Sequence, residues 1–489
     1  MTNQSLTPSA FPDCRWAYDI HRPDLRGCSS PKLNGTGFGV DLNQCTNCYC
    51  RDHEPAQPRP DVNWSPVIGI TTATHIRQES KTLESLFTGN DGNFLDLSIL
   101  SYVFDDKTFQ IGAWPHFLVS LQTLVHKHPD ASHYIMLQDD VVFSRNVFDY
   151  IRDKIDIPHN AGVVSLFCPA EYHPNRYRNN GRAGLLQIPC GYHLAGAQAY
   201  LFPAERAWDF LQTKWVINHR RNPPKGGPFK GTGVHHIDGV VGEYCAISGF
   251  KPYYHWPSLS QHVGHNSTLY SDATLTNRRR SADSFLGVNF DLLNPHVTAV
   301  TITRNKRPAL LAQAIRHFED QTYPNKSLLI INDGEPIPDH PNDSVKIINL
   351  PDENRSVGDL RNMSADILRN SNSLIIQWDD DDLYHPERIA RQVSIWRPGC
   401  CVVLQSQKLY DATTKTESVK VRERGIEGTI LYDPVTCPVR QDTTKGEDTK
   451  FYLDYPPARR IILKGEPHLY TRVYHGQNTF DRDHVMSSS

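Results

Sequence analysis

Two stretches of the chain open in the same way. SPVIGITTATHIR (65–77) and HVTAVTITRNKRP (296–308) each read as a short β-branched strand that ends in threonines and passes into a basic loop. Helical periodicity follows in both, at KTLESLF and ALLAQAIRHF. After the second opening, further strands are predicted at SLLIIND, VKIINL and SLIIQWD, with a helical segment VGDLRNMSADILRN between them. This alternation of periods 2 and 3.6 argues for an α/β fold with a parallel-type sheet. In the first repeat, HYIMLQDDVVF takes the part that SLIIQWDDDD takes in the second.

The segments between these patterns set the expected boundaries. Residues 1–62 are rich in Cys, Pro, Gly and Asn and end in HEPAQPRPDVN, which cannot form a regular helix and reads as a linker. The polar run SDATLTNRRRSADSF marks a connector over 269–295. A first unit of 64–268 and a second of 296–489 remain, and 489 residues exceed what one ordinary core organises. A net charge of −3 leaves no electrostatic footprint for nucleic acid. No stretch reaches the roughly 18 apolar residues of a membrane span, and the N-terminus lacks the basic and apolar regions of a signal peptide, so a cytoplasmic protein without a transmembrane segment is expected.

In both units an apolar strand runs straight into acids, Asp139 and Asp140 in the first and Asp379, Asp380, Asp381 and Asp382 in the second. Ligands of open α/β sheets bind outside the carboxyl ends of strands, where these side chains belong. Adjacent carboxylates repel one another. A divalent cation would neutralise them, and oxygen ligands suit Mg²⁺ or Mn²⁺. A solvated acidic turn is the alternative, more so for the bare pair than for the run of four.

The second unit resembles a glycosyltransferase family 2 domain of the GT-A fold. The pieces are VTAVTITRNKRPALLAQAI, IINDGE, SVGDLRN, WDDDDLYHPERI, GEDTKF and LYTRVYHGQNTFD. The resemblance implies two tandem GT-A (Rossmann-like) domains and a metal-dependent, inverting transfer of sugar from a nucleotide-sugar, UDP-sugar in particular, to a glycan or other hydroxyl acceptor. It implies that Thr301, Thr303, Arg304, Asp333, Arg361 and Asp380 line the donor pocket, with Asp333 meeting the base and Asp379 facing the ribose. It further implies that Asp381 and His475 hold the metal and that Asp448 is the general base. A cation would stabilise the departing diphosphate, and a positioned base commonly contributes about 10²- to 10⁴-fold. An N-cap for a helix opening at Thr449 is the other role open to Asp448.

The first unit resembles a more divergent bacterial GT-A glycosyltransferase, on GITTATHIRQESKTLESL, YIMLQDDVVF, GAQAYLFP, HHIDGVVGEYCAISGFKPYYH and WPSLSQHVGHNSTL. Gln138 stands where the first acid of a DxD motif is expected. Thr71, Thr72, Arg77 and Asp139 fall on the donor side, Asp140 on the metal side and Asp238 at the base position. Asp238 and His265 are 27 residues apart, as are Asp448 and His475, but GHNST after His262 lines up better with GQNT after His475, and His262 is preferred as the metal ligand. A structural turn at Asp238 and ordinary surface histidines are the alternatives.

Two active centres would make the enzyme bifunctional. Otherwise the first unit is an acceptor-binding module. A nucleotidyltransferase fits less well, because neither TTATHIR nor TITRNKR carries the glycine of a phosphate loop. The loops at 171–186 and 220–233 are basic and would suit an acidic or phosphate-bearing acceptor. Cys14, Cys28, Cys45, Cys48 and Cys50 offer a structural Zn²⁺ site, with disulfides and free thiols as alternatives.

Overall fold

The computed structural model describes residues 64–72, 101–105, 113–169, 181–189, 191, 194–217, 237–263, 281–440, 446–476, 478 and 481–486. The five N-terminal cysteines, Arg77, His265, the helix expected at KTLESLF and the 220–233 loop lie outside them. The chain divides at Pro55/Ala56, and both sheets described below belong to the second part.

The first sheet is built from β1 (Pro66–Thr72), β2 (Ser101–Asp105), β3 (His133–Gln138), β5 (Ala161–Ser165), β6 (Gly184–Gln187), β7 (Ala199–Pro203) and β8 (Lys251–Trp256), in the order β2-β1-β3-β7-β5-β8-β6. Strands β4 (Val141–Phe143) and β9 (Ser260–His262) form a separate antiparallel ribbon. The second sheet holds β10 (His296–Thr303), β11 (Lys326–Asn332), β12 (Val345–Asn349), β13 (Ser373–Gln377), β14 (Leu383–Tyr384), β15 (Cys401–Asp411), β16 (Thr416–Tyr432), β17 (Arg460–Leu463) and β18 (Tyr470–Tyr474). Its order is β12-β11-β10-β13-β16-β15-β18-β14, with β17 beside β15.

The parallel pairing expected from the sequence joins β12-β11-β10-β13 and β2-β1-β3, and it recurs between β5 and β8 and from β15 to β17 and β18. Beyond β13 and β3 the pairing turns antiparallel, to β16 and β7. In both sheets the opening strand lies between the strand on its outer side and the acid-bearing strand. That is a switch point of strand order, where a crevice opens at the carboxyl ends.

Local chemistry explains the elements around the second crevice. Pro308 starts the helix Pro308–Glu319, whose Leu311, Ala314, Ile315 and Phe318 are buried at helical spacing. Ser356 caps the helix Val357–Leu368 by accepting from the Asp359 amide at 3.0 Å. Strands β10, β11 and β13 are buried along nearly their whole length, as parallel strands covered on two faces should be.

The two sheets share one core, which runs from Ile68, Ile135 and Phe148 through Leu286, Phe290 and Leu292 to Val297, Ile330 and Ile376. The polar connector expected at 269–295 thus carries, in its described part, three apolar anchors. Phe290 packs against Trp396 with ring centroids 5.8 Å apart. Around Gly399 the two halves approach so closely that a Cβ would fall 2.8 Å from the Pro257 ring and 2.9 Å from Trp256. Its φ of +78° points to glycine as well. No described helix is long and apolar enough to cross a membrane.

Candidate functional site

The acids after β13 sit on a turn held from beneath. Thr301 Oγ1 donates to the Trp378 carbonyl at 2.7 Å and Thr303 Oγ1 to Asp380 Oδ2 at 2.6 Å, so both threonines fasten the acid turn to the opening strand. The Trp378 ring stacks on Tyr384 at 3.8 Å and donates through Nε1 to the Ala314 carbonyl at 3.0 Å. Below them the fully buried Arg388 lies under Trp378, Tyr384 and Tyr470 and donates to the Gln377 carbonyl at 3.1 Å.

The four consecutive acids go four different ways. Asp379 accepts from Arg361 at 3.0 Å. Asp380 accepts from Thr303 and, at 2.9 Å, from Arg307. Asp381 accepts from Arg307 at 2.6 Å and lies 3.2 Å from His475 Nε2. Asp382 turns inward to the Tyr470 hydroxyl and the Val473 amide and has a structural rather than a ligand-facing place. Mutual repulsion is relieved here by arginines and by unequal proton affinities. Burial pushes the Asp382 carboxyl up to about 8, with Asp381 and Asp379 adding to it, and burial also raises Asp379 and Asp380. Asp381 goes the other way: burial alone would raise it, but His475 and Arg307 hold it below the ordinary carboxylate value.

Arg307, which the sequence showed only as part of a basic loop, is the centre of this arrangement. Its guanidinium bridges Asp380, Asp381 and His475 Nε2, the last at 2.8 Å. Arginine only donates, so with the ring proton on Nδ1 the Nε2 lone pair, the one a metal ion would take, faces Arg307, whereas with the proton on Nε2 that proton is donated to Asp381. The residues expected to hold a metal thus gather a carboxylate and an imidazole nitrogen around a positive charge.

The base candidate Asp448 lies in the first turn of the helix Glu447–Asp454, whose N-cap is Gly446 at φ +76°. The helix opens before Thr449, and Asp448 is not its N-cap. Its side chain instead accepts from Arg361, from Arg440 at 2.7 Å and from Gln377 at 3.1 Å. Burial would raise Asp448, but Arg361 and then Arg440 hold it below its ordinary value, so it is an ionised carboxylate. Arg361 is thus a tie between Asp448, Asp379 and, at 3.3 Å, Glu447.

Asp333 stands at the end of β11, fully buried, and accepts from the Arg355 amide at 2.9 Å and its guanidinium at 2.7 Å. Burial opposes its ionisation, and the hydrogen bonds of Arg355 more than compensate. Gly334 lets this turn lie against the opening loop, since a Cβ there would sit 2.3 Å from the Arg304 carbonyl oxygen. Arg304 donates to the Arg355 carbonyl at 3.0 Å.

The first sheet repeats much of this scheme. Thr71 Oγ1 donates to the Leu137 carbonyl at 3.2 Å and Thr72 Oγ1 to Asp139 Oδ2 at 2.7 Å, as Thr301 and Thr303 at the end of β10 do to the acid turn after β13. Asp140 Oδ2 lies 3.0 Å from His262 Nε2, as Asp381 lies beside His475. Ribbon β4–β9 pairs Val141 with His262, in the place where β14–β18 pairs Leu383 with Thr471. On this correspondence Gln138 stands for Asp379. The side chains of Asp140 and His262 are each only 5% exposed, against 19% and 12% for Asp381 and His475. Asp238 lies in the first turn of the helix Ile237–Ser248, as Asp448 does in its own helix, and its carboxylate accepts from the amides of Gly196 and Gly239 at 3.0 Å each.

No protein-family model matches this sequence, and no curated protein matches it. Among solved structures, S. aureus TarS 1-349 in complex with UDP aligns over 36% of this chain and 60% of its own, at 11% identity and a TM-score of 0.28. A further S. aureus TarS structure aligns over 36% and 37%, at 11% identity and 0.28. The mannosyltransferase PcManGT from Pyrobaculum calidifontis, in complex with GDP-Man and Mn²⁺, aligns over 37% and 57%, at 12% identity and 0.27. The chain spans less than two thirds of each of these proteins.

Proposed function

We propose that the chain is a glycosyltransferase of tandem GT-A type, with an inverting centre at the carboxyl ends of β10, β11 and β13. The observation that carries this reading is the clustering, in one switch-point crevice, of an ionised Asp448, the Asp379–Asp381 turn and His475 around fixed positive charge. Asp333 and the Arg355 that pairs with it stand at the carboxyl end of β11, where the nucleoside of a UDP-type donor is expected to lie. Asp381 and His475 would hold a divalent cation, Mn²⁺ or Mg²⁺, which when bound supplies Lewis-acid neutralisation of the departing diphosphate. Arg307, now bridging these two groups, would be released to the diphosphate oxygens. Asp448, held by Arg361 and Arg440, is placed to take the proton of an acceptor hydroxyl as its oxygen attacks the anomeric carbon. Its depressed proton affinity makes it a weak base, which suits a late proton transfer driven by departure of the leaving group.

A second reading rests on Arg307 itself. With hydrogen bonds of 2.6 and 2.9 Å to Asp381 and Asp380, its guanidinium is the resident cation and the centre works without metal. For the first sheet, the repeated Thr72–Asp139 and Asp140–His262 pairs support a second transferase centre and hence a bifunctional enzyme. Gln138 in the place of Asp379, and the backbone contacts of Asp238, support an acceptor-binding module.

Calorimetric titration of UDP and GDP with and without Mn²⁺ separates these readings. Metal-dependent binding that Asp381→Asn abolishes supports the first; binding indifferent to metal but lost in Arg307→Gln supports the second. No nucleotide binding under either condition would remove the donor pocket altogether.

A further inference from the structure

A second group of metal-ligating side chains stands away from the acid turn. His385 follows β14, Glu387 precedes the helix Arg388–Ile395, and His468 lies in the short 3₁₀ turn Pro467–Leu469 that leads into β18. One ligand atom from each lies within 4.8 Å of the other two. We propose that His385, Glu387 and His468 form a binding site for a borderline transition-metal ion of the Zn²⁺ type, distinct from the cation site of the acid turn.

The backbone is arranged for this before any ion binds. The His385 amide donates to the Leu469 carbonyl at 3.2 Å, which locks the two turns side by side. The His385 carbonyl accepts from Gln321 at 2.8 Å and from the Arg388 amide at 3.0 Å, so the first turn is fixed on both sides. The two imidazoles meet edge to face with centroids 4.8 Å apart. Across a tetrahedral zinc with bonds of roughly 2.0–2.1 Å, neighbouring donor atoms are about 3.3 Å apart. The gap from 4.8 Å closes by side-chain rotation alone, because Glu387 and His468 are exposed and have room to turn.

The donor set selects the ion. Two imidazole nitrogens and one carboxylate suit Zn²⁺, Co²⁺ or Ni²⁺, whereas the carboxylate-rich acid turn suits Mn²⁺ or Mg²⁺. Three protein ligands leave a coordination position for water. An ion here would staple the turn that follows Asp382 to the turn that precedes Tyr470, two residues already joined by a hydrogen bond inside the core. The site thus reinforces the strand ends that carry the acid turn without entering it.

The test uses the full-length chain stripped with EDTA and titrated with Co²⁺, whose visible ligand-field bands report a nitrogen and oxygen site, while thiolate charge-transfer bands in the near ultraviolet report binding at cysteines. His468→Asn and Glu387→Gln alter exposed side chains, and circular dichroism checks that both fold. The expected result is loss of one Co²⁺ equivalent, with its nitrogen-and-oxygen bands, in His468→Asn and weakened binding in Glu387→Gln, while Asp381→Asn keeps that equivalent. Zn²⁺ should displace the Co²⁺ and raise the unfolding temperature of the wild type but not of His468→Asn. Equal stoichiometry in wild type and His468→Asn, or binding seen only at millimolar ion, overturns the proposal.

Discussion

Replacing Arg361 by methionine keeps the volume of the side chain and removes its charge from a place where three carboxylates converge. In the wild type Arg361 is 9% exposed in its side chain and meets Asp379, Glu447 and Asp448. Without it, Arg440 remains for Asp448, but Asp379 and Glu447 lose their direct cation. Removing one partner of a buried ion pair costs about 3–5 kcal/mol. Asp379 and Asp448 keep 34% and 23% side-chain exposure, so solvent screens part of the loss and about 3 kcal/mol at pH 7 is the expected value. Urea unfolding reads this as a midpoint lowered by about 1 M at a slope near 3 kcal/mol per M. The pH dependence carries the sign. Asp448 has a folded-state proton affinity below its unfolded one, so its contribution is present above an unfolded pKa of about 3.9 and is lost as pH falls through the folded value. In the variant the carboxylates take up protons more readily, and the deficit against wild type should shrink as pH drops from 7 toward about 4. A variant as stable as wild type at pH 7, or a deficit that is flat or grows on acidification, would refute the role given to Arg361.

Three further perturbations act on separate parts of the structure. Arg307→Gln removes the guanidinium between Asp380, Asp381 and His475, whose charged hydrogen bonds are each worth roughly 1.5–3 kcal/mol. Mn²⁺ should then bind at least about tenfold tighter in an electron-spin-resonance titration, and unchanged affinity counts against competition at that site. Asp382→Asn should lie within about 1 kcal/mol of wild type at pH 7, because a carboxyl raised to about 8 is mostly neutral there, whereas Asp382→Ala strands the Val473 amide and costs about 1–3 kcal/mol. Asp382 binds its proton more tightly folded than unfolded, so it weakens the fold as pH climbs from about 4 to 8, and Asp382→Asn should remove that slope. His255 is fully buried between the Tyr150 hydroxyl and the Pro257 carbonyl, and burial lowers it to about 4. Its contribution is whole above about 6.5 and drains away as pH falls to about 4, roughly 3 kcal/mol in all. His255→Gln should flatten that part of the urea profile, and an unaltered profile would show that other groups drive it.

The strands and helices that carry the second crevice were legible because each has one dominant signal. β11 and β13 carry short apolar runs, β10 is β-branched and ends in threonines, and helical spacing marks ALLAQAIRHF and VGDLRNMSADILRN. The antiparallel pairings were not foreseen. β15 and β16 alternate weakly and carry charged residues such as Lys408, Arg422 and Glu423, and their pairing is a long-range choice that no local pattern encodes. Within the site, residue types next to one another in sequence were found, and of the cations that arrive from elsewhere Arg361 was named while Arg440 and Arg388 were missed. Arg440 comes from a loop without periodicity, and Arg388 reads as an ordinary helical surface residue until the aromatic rings around it are known. The N-cap alternative for Asp448 failed because Gly446 supplies the left-handed turn and the helix starts at Glu447, a difference that three adjacent polar residues do not reveal. The hydroxyls of the opening-strand threonines, expected to line the donor pocket, also secure the acid turns, a tie that no local pattern announces.

The most direct test of the central claim is nucleotide release from a panel of nucleotide-sugars by wild type, Asp381→Asn, Asp448→Asn and Asp140→Asn, each with Mn²⁺ and with EDTA. The account predicts metal-dependent turnover of at least one donor that falls by about 10²-fold or more in Asp448→Asn and Asp381→Asn, with a different donor activity affected in Asp140→Asn if the first centre is also active. Turnover that none of these substitutions changes, or the absence of turnover with every donor, would contradict it.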